Sequence, residues 1–209
     1  MAAQPSPIAR VDDLCFSYPQ RPLFAHWSAC FPAGLSLLHG EESSGKTSLL
    51  RLLDGSLAAE GGVLQVAGVS LHQDPSRYRA QVFRTDPRSE FPQQHTALQW
   101  LDEVRLRYPA FDAAGVPAWL DALSLREHQH KPMHMLSTGS RRKVWLVAAL
   151  ASGAALTLLD QPFAALDRTS IVAVCDLLRD AARQGDRAWV LADYEAPRGL
   201  ALAQTITLD

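Results

Sequence analysis

The sequence predicts a single α/β domain over residues 1–209, with a mainly parallel sheet and a mostly helical insert at about 88–135. Two observations lead to this prediction. Short apolar segments typical of buried strands alternate along the chain with segments of helical periodicity. In addition, the glycine-rich segment GEESSGKT at 40–47 lies between one such strand and one such helix. A length of 209 residues with 47% apolar residues is sufficient for a substantial core.

The predicted strands are short apolar runs bounded by turn residues. The run LSLLH is enclosed by Gly34 and Gly40, as expected of a strand buried on both faces. The segment RVDDLCFSY alternates loosely between apolar and polar residues and ends at a turn that contains proline. The six predicted strands lie at 10–18, 35–39, 63–68, 80–83, 156–160 and 187–193. Because helices separate several of these strands, the sheet should be mainly parallel.

The predicted helices follow from the spacing of apolar residues. The first begins at the end of the glycine-rich segment, and Gly55 is expected to end it. Within the insert, TALQWLDEVRLRY and VPAWLDALSL carry helical periodicity. Two further helices are predicted from Ser137 to about Leu150 and from about Asp167 to Arg183.

Charge and cysteine content exclude several classes of protein. The formal net charge is −2, from 20 basic and 22 acidic side chains, so we expect no nucleic-acid partner and no general binding to anionic membranes. The scattered Cys15, Cys30 and Cys175 indicate reduced thiols in a cytosolic protein. The longest apolar run, at 144–159, is short for a membrane span and is interrupted by glycine, so it is interpreted as a helix end followed by a buried strand. If the protein works at a membrane, another chain must supply the spans.

The segment GEESSGKT matches the phosphate-binding pattern G-x-x-x-x-G-K-[ST] in full. Gly40 and Gly45 permit the tight loop, whose backbone N–H groups can face phosphate oxygens at a helix N-terminus. Lys46 can reach the β- and γ-phosphates, and the Thr47 hydroxyl can bind Mg²⁺. The predicted nucleotide-binding residues of this loop are Gly40, Glu41, Glu42, Ser43, Ser44, Gly45, Lys46, Thr47 and Ser48, of which the two glutamates are expected to face solvent.

The segment LLDQPF at 158–163 predicts the second half of the same site. An apolar strand ends at Asp160, which is therefore a candidate metal ligand together with Thr47. An aspartate at a strand end that is simply solvated is the alternative, and it would be the default without the upstream loop. The next residue, Gln161, carries a neutral amide that cannot accept a proton at useful pH.

The segment LSTGSRRKV at 136–144 resembles the signature of ATP-binding-cassette (ABC) ATPases, a Leu-Ser-Gly-Gly-Gln run that opens a helix. The order and spacing of loop, signature and LLDQPF also fit this family, as does the ALD at 165–167, and the resemblance covers essentially the whole chain. Ser137 is expected to be a helix N-cap with a free hydroxyl, and Gly139 should let a partner approach closely. A capped helix and nothing more is the alternative.

This resemblance implies a P-loop fold of ABC type with an N-terminal antiparallel β portion beside the parallel core. It implies that adenine stacks on Tyr18, although a structural role at a strand end is an alternative for that residue. It also implies that Ser137 and Gly139 contact the γ-phosphate bound by an opposite subunit, and that Asp167 lies in the dimer contact. The signature residues of this chain are Ser137, Thr138, Gly139 and Ser140.

The chain departs from the family pattern at four motifs. Gln161 stands where the family has a catalytic glutamate, and Thr138 and Ser140 replace the first glycine and the glutamine of the signature. Tyr194, followed by glutamate, stands where a switch histidine is expected. Departures at four motifs favour a naturally degenerate catalytic site, with Gln161 and Tyr194 at the catalytic positions.

The fourth departure concerns a glutamine expected near 84 or 85, which links nucleotide to helical insert in the family. Arg84 and Thr85 occupy these positions, and Gln81 would serve only if the register shifted.

The resemblance implies an ATP-binding transporter subunit that uses ATP and Mg²⁺ and drives a separate transmembrane subunit. It implies a cytoplasmic protein, peripheral at the inner face of the cell membrane, that closes on a second ABC cassette, identical or different. Hydrolysis is expected to be slow. The compact length resembles the short ATPase of the haem-exporter type. The alternatives are a soluble, non-transport ABC clamp or regulator, and a structural pseudo-ATPase without nucleotide affinity, against which the intact Lys46, Thr47 and Asp160 argue.

Overall fold

The computed structural model describes residues 6–85, 93–195 and 199–208. Its strands are β1 (Ala9–Tyr18), β2 (Arg21–Phe31), β3 (Gly34–Gly40), β4 (Gly61–Val66), β5 (Val69–Ser70), β6 (Val82–Thr85), β7 (Leu156–Asp160), β8 (Ala188–Asp193) and β9 (Gln204–Leu208). Its α-helices are α1 (Lys46–Leu53), α2 (Pro75–Arg79), α3 (Ala97–Arg107), α4 (Val116–Ala122), α5 (Thr138–Ala151) and α6 (Arg168–Arg183), with single 3₁₀ turns at Arg126–His128 and Met133–Met135.

The central sheet has the strand order β6-β7-β8-β3-β9, and every pairing in it is parallel. All five residues of β7 are buried, which accounts for its continuous apolar sequence. The register pairs Asp160 with Ala192, and His39 with Asp193, so the carboxyl ends of three strands meet at one edge. The prediction of a mainly parallel core is confirmed.

A second sheet, with the order β2-β1-β4-β5, is antiparallel throughout. This sheet is the N-terminal antiparallel portion that the family resemblance implied. Strand β2 was not predicted, because exposed and buried residues mix irregularly along RPLFAHWSACF. The pairing of β1 with β2 shifts register near Asp13 and His26, which both have left-handed backbone angles.

The core lies in two layers. One layer fills the space between the two sheets and includes the buried face of α1, where Leu49, Leu50 and Leu52 are 0% exposed. The other layer lies between the parallel sheet and helices α3 to α6. Helix α1 therefore starts at the edge where the strands end and runs between both sheets.

Residues 93–135 contain the two helices that the periodicity predicted, α3 and α4. Thr96 begins α3 with a capping box, in which its hydroxyl and the Gln99 side chain each accept the other's backbone N–H. Trp100 of α3 packs edge-on against Trp145 of α5, with ring centroids 4.5 Å apart. The first residues of the predicted insert, 88–92, lie outside the described residues, and its boundaries stay a prediction.

Several element boundaries differ from those predicted. Strand β6 begins at Val82, two residues later than expected, because Gln81 still belongs to the turn after α2. Helix α2, which was not predicted, has Asp74 as its N-cap and proline in its first turn. Strand β9 was also not predicted, although QTITL alternates in burial as an edge strand does. Within the described residues, no helix combines the length and apolarity needed to cross a bilayer.

Candidate nucleotide-binding site

The loop between β3 and α1 has the strand–loop–helix form that its glycines predicted. Gly45 has a φ of +99°, and a Cβ atom there would lie 2.9 Å from the Leu23 side chain, so only glycine fits. The loop also holds Ser43 at a φ of 63°. Ser44 Oγ is buried and has no hydrogen-bond partner within the described part of the chain. An orphaned hydroxyl inside this loop fits a phosphate ligand.

Lys46 begins α1 and is only 7% exposed. Its ammonium donates hydrogen bonds to the carbonyl oxygens of Gly40, at 2.5 Å, and Glu41, at 2.7 Å. Burial lowers the pKa of Lys46, and the carboxylates of Asp160 and Asp193 partly offset this effect. The side chain is therefore a cation held at the mouth of the loop.

Thr47 and Asp160 are in direct contact, since the Thr47 hydroxyl donates to Asp160 Oδ2 at 2.8 Å. Asp160 is 4% exposed, and its backbone N–H donates to Thr85 Oγ1 at 3.3 Å. One hydroxyl and one carboxylate suit Mg²⁺, which prefers oxygen ligands and takes the rest of its shell from phosphates and water. No group of three or more His, Cys, Asp or Glu side chains able to hold a metal exists among the described residues. The metal therefore fits only as a companion of a phosphate ligand.

Gln161 and Tyr194, the two departures at the catalytic positions, contact each other. Gln161 has a φ of 44°, and its backbone N–H donates to Ala192 O at 2.9 Å. Its carbonyl accepts a bond of 2.6 Å from Arg142 Nη1, and its amide Nε2 donates to Tyr194 Oη at 3.4 Å. The Tyr194 ring lies beside Lys46, whose Nζ is 4.5 Å from the ring centroid.

Tyr18 lies beside the first turn of α1. It is 40% exposed, and its hydroxyl is 3.0 Å from Ser48 Oγ. Glu41 and Glu42 are exposed, as expected. A cleft of about 350 Å³ joins these groups, and it is lined by Tyr18, Arg21, Leu23, Glu42, Ser43, Ser44, Gly45, Lys46, Thr47, Ser48, Arg51, Asp160, Gln161 and Tyr194.

Arg84, Thr85 and Gln81 are the three candidates for the position of the glutamine that the family has near 84 or 85. Of these three, only Thr85 lies beside the site. Arg84 turns away and forms a largely buried ion pair with Asp54. Gln81 lies at the start of β6, opposite the strand ends that carry the site. Thr85 is buried next to Asp160 and donates to Leu158 O at 3.5 Å.

Ser137 caps α5, as predicted, but its hydroxyl is not free. It accepts the backbone N–H of Ser140 at 3.1 Å and donates to Ser140 Oγ at 3.0 Å. A contact within this chain requires glycine at position 139, since a Cβ atom on Gly139 would lie 2.7 Å from Ala165 O. Thr138 is exposed at the first turn of the helix. None of Ser137, Thr138, Gly139 and Ser140 lines the cleft.

Asp167 caps α6 by accepting the Ser170 backbone N–H at 2.8 Å, and its hydrogen bonds to Ser170 lower its pKa.

The sequence analysis missed three groups at the site. Arg21, which lies in β2, donates to Ser43 O at 3.0 Å and so stabilises the phosphate-binding loop. Burial lowers the pKa of Arg142 and raises that of Asp193, which lies next to Tyr194. Arg142, the second arginine of SRRKV, and Asp193, the aspartate ending AWVLAD, are charged residues close to recognised motifs. Their place at the site is shown only by the packing of α5 against the strand ends.

The strand–loop–helix, its lysine and the Thr47–Asp160 pair define a P-loop nucleotide-binding protein. The family model described as ABC transporter matches residues 29–164, and the chain belongs to this family. It is the ATP-binding subunit of an ABC transporter.

Individual relatives agree with this assignment. The chain is 29% identical over 212 residues to the cytochrome c biogenesis ATP-binding export protein CcmA of Nitrosococcus oceani, covering 100% of this chain and 94% of the relative. It is 31% identical over 191 residues to the protein of the same name in Legionella pneumophila (strain Paris), covering 90% and 93%. A solved ATP-binding subunit of an ABC transporter superimposes with a TM-score of 0.82 at 20% identity, covering 90% of this chain and 79% of the other, and so shares the fold.

Proposed function

We propose that this chain binds Mg-ATP in the cleft around Lys46 and hydrolyses it slowly. The observation that carries this proposal is the combination of an intact phosphate-binding side with an altered catalytic side. Lys46, Thr47 and Asp160 meet at one end of the cleft, where the Thr47–Asp160 contact is 2.8 Å. Gln161 lies next to them with an amide in place of a proton acceptor.

ATP binding would also close this cassette on a second one, so that Ser137 of each faces the nucleotide of the other. The cassettes would then move a separate transmembrane subunit from the inner face of the cell membrane. The relatives named for export in cytochrome c biogenesis support the same role here. Their names do not include a substrate, and the haem-exporter subtype stays a prediction. A soluble clamp has no such support.

Isothermal titration calorimetry tests the site. Wild-type protein should bind ATP with a Kd between about 1 μM and 1 mM in the presence of magnesium, and more weakly with EDTA. Lys46→Ala should lose most of the affinity, because it removes the buried cation at the loop. Lys131→Ala is the matched control, since Lys131 is exposed outside the cleft. Absence of binding by the wild type, or equal binding by Lys46→Ala, contradicts the proposal.

A further inference from the structure

The ammonium group of Lys46 is surrounded on three sides. A lysine ammonium has three N–H donors and no acceptor. Two donors are directed to the carbonyl oxygens of Gly40 and Glu41. The face of the Tyr194 ring covers the remaining side, 4.5 Å from Nζ to the ring centroid, which is a cation–π contact. A phosphate oxygen that takes one of these three positions must displace the group that occupies it.

Tyr194 is the partner that can move. The two carbonyl oxygens belong to the closely packed loop, whereas Tyr194 is 41% exposed at the end of β8. Two hydrogen bonds hold it in place, of which only the longer one involves the side chain. Its backbone N–H donates to its neighbour Asp193 at 2.8 Å, and its hydroxyl accepts from Gln161 Nε2 at 3.4 Å. The Gln161 amide therefore supports the ring that covers Lys46.

We infer that Tyr194 is a positioning residue that holds Lys46 before nucleotide binds and is displaced from it by the terminal phosphates. This inference rests on the proposed function, because it concerns the same lysine and the same ligand. The contact lowers the affinity for ATP, since binding must first break the cation–π interaction. The two altered catalytic positions thus act together, because Gln161 supports Tyr194 and Tyr194 covers Lys46.

The test compares the Kd for Mg-ATP of the wild type with three variants, each checked by thermal unfolding for an intact fold. Tyr194→Leu removes the ring face and should tighten binding about three- to tenfold, the size expected of a half-exposed cation–π contact. Tyr194→Phe keeps the ring face and loses only the long hydrogen bond of 3.4 Å from Gln161, so it should retain the wild-type Kd within about twofold. Tyr18→Leu is the matched control, because Tyr18 is equally exposed in the same cleft, yet its hydroxyl contacts Ser48 rather than Lys46. It should weaken binding.

The results separate this inference from the proposed function. Tighter binding by Tyr194→Leu, with a Kd for Tyr194→Phe close to that of the wild type, supports the inference. If wild-type binding is too weak to measure, measurable binding by Tyr194→Leu but not by Tyr194→Phe supports it. Unchanged or weaker binding by Tyr194→Leu overturns it, while Lys46-dependent binding by the wild type would leave the proposed function standing. If neither the wild type nor Tyr194→Leu binds ATP, both the inference and the proposed function are contradicted.

Discussion

At the scale of single residues, the surroundings of Gln161 hold its backbone in place independently of the chemistry of its side chain. Its backbone is held by the Ala192 carbonyl on one side and by Arg142 on the other, in a left-handed conformation with φ at 44°. Such a backbone persists in a non-glycine residue only when its surroundings hold it there. A glutamate at this position would therefore occupy the same place with different chemistry.

The first prediction concerns turnover by variants at these positions. Wild-type protein should release phosphate slowly, because Gln161 offers no general base, whose contribution is typically about 10²–10⁴-fold. Gln161→Glu should raise the rate modestly, and adding Tyr194→His should raise it further. The loop, Lys46 and Mg²⁺ still stabilise the transferring group, so some activity remains in the wild type. Steady-state phosphate release from the wild type, both single variants and the double variant measures this.

Lys46→Ala is the control in this series, since any rate that survives it belongs to a contaminant. A wild-type rate equal to that of a cassette with an intact glutamate, abolished by Lys46→Ala, would show that the site is not degenerate. If no variant exceeds the wild type, Gln161 and Tyr194 are not what limits the rate.

At the scale of elements, Arg187 joins the end of α5 to two strands of the parallel sheet. It is 9% exposed, and its guanidinium donates to the carbonyl oxygens of Ala149, Leu150 and Ala154. These carbonyls lie in the last turn of α5 or just beyond it, where backbone acceptors lack partners within a helix. The guanidinium also donates to Thr157 Oγ1 of β7 at 2.8 Å and packs over the Trp189 ring of β8.

Burial lowers the pKa of Arg187 to about 10, so it remains charged at neutral pH. Because the ring and carbonyls replace water around the cation, this side chain stabilises the end of the sheet opposite the nucleotide cleft.

The second prediction is that Arg187→Met destabilises the fold by about 2–4 kcal/mol. The methionine keeps an apolar stem but leaves several buried acceptors without donors. Arg183→Met is the matched control, since Arg183 is 73% exposed and has only a surface ion pair with Asp180, so it should change stability by less than about 0.5 kcal/mol. Urea unfolding followed by tryptophan fluorescence measures both free energies. Equal midpoints for the two variants would refute the capping role of Arg187.

At the scale of the whole molecule, the signature segment and the nucleotide cleft occupy separate surfaces of one chain. Ser137 and Thr138 are exposed at the start of α5 and do not line the cleft. Met135, just before them, is 64% exposed. A second cassette in head-to-tail orientation would cover this surface and bring Ser137 to a nucleotide.

The third prediction is that ATP with magnesium promotes dimers of the full chain, alone or with a partner cassette, and that ADP does not. Ser137→Asp should suppress this dimer, because it keeps an N-cap but puts a negative charge opposite the γ-phosphate. Ser137→Asn is the control, since it also caps the helix but stays neutral. Sedimentation velocity with each nucleotide measures the dimer fraction. A sedimentation coefficient that ATP leaves unchanged, alone and with the co-encoded cassette or membrane subunit, would rule out this assembly.

Local sequence patterns account for the elements that form within short segments of the chain. The run LSLLH, the loop after it and the leucines from Lys46 onward specify strand, turn and helix within about twenty residues. The apolar strand ending at Asp160, the N-cap at Ser137 and the start of a helix at about Asp167 are equally local. These elements were predicted correctly because apolar periodicity and capping chemistry act over a few residues.

Contacts between distant residues depend instead on how the strands and helices pack together. Strand β2 pairs through backbone hydrogen bonds that any sequence can make, so its irregular pattern carried little signal. The approach of Gly139 to Ala165 O, and of Tyr194 to Lys46, depends on how helices pack against the strand ends. Contacts between residues more than a hundred positions apart in the chain follow from register and packing, which no local pattern encodes.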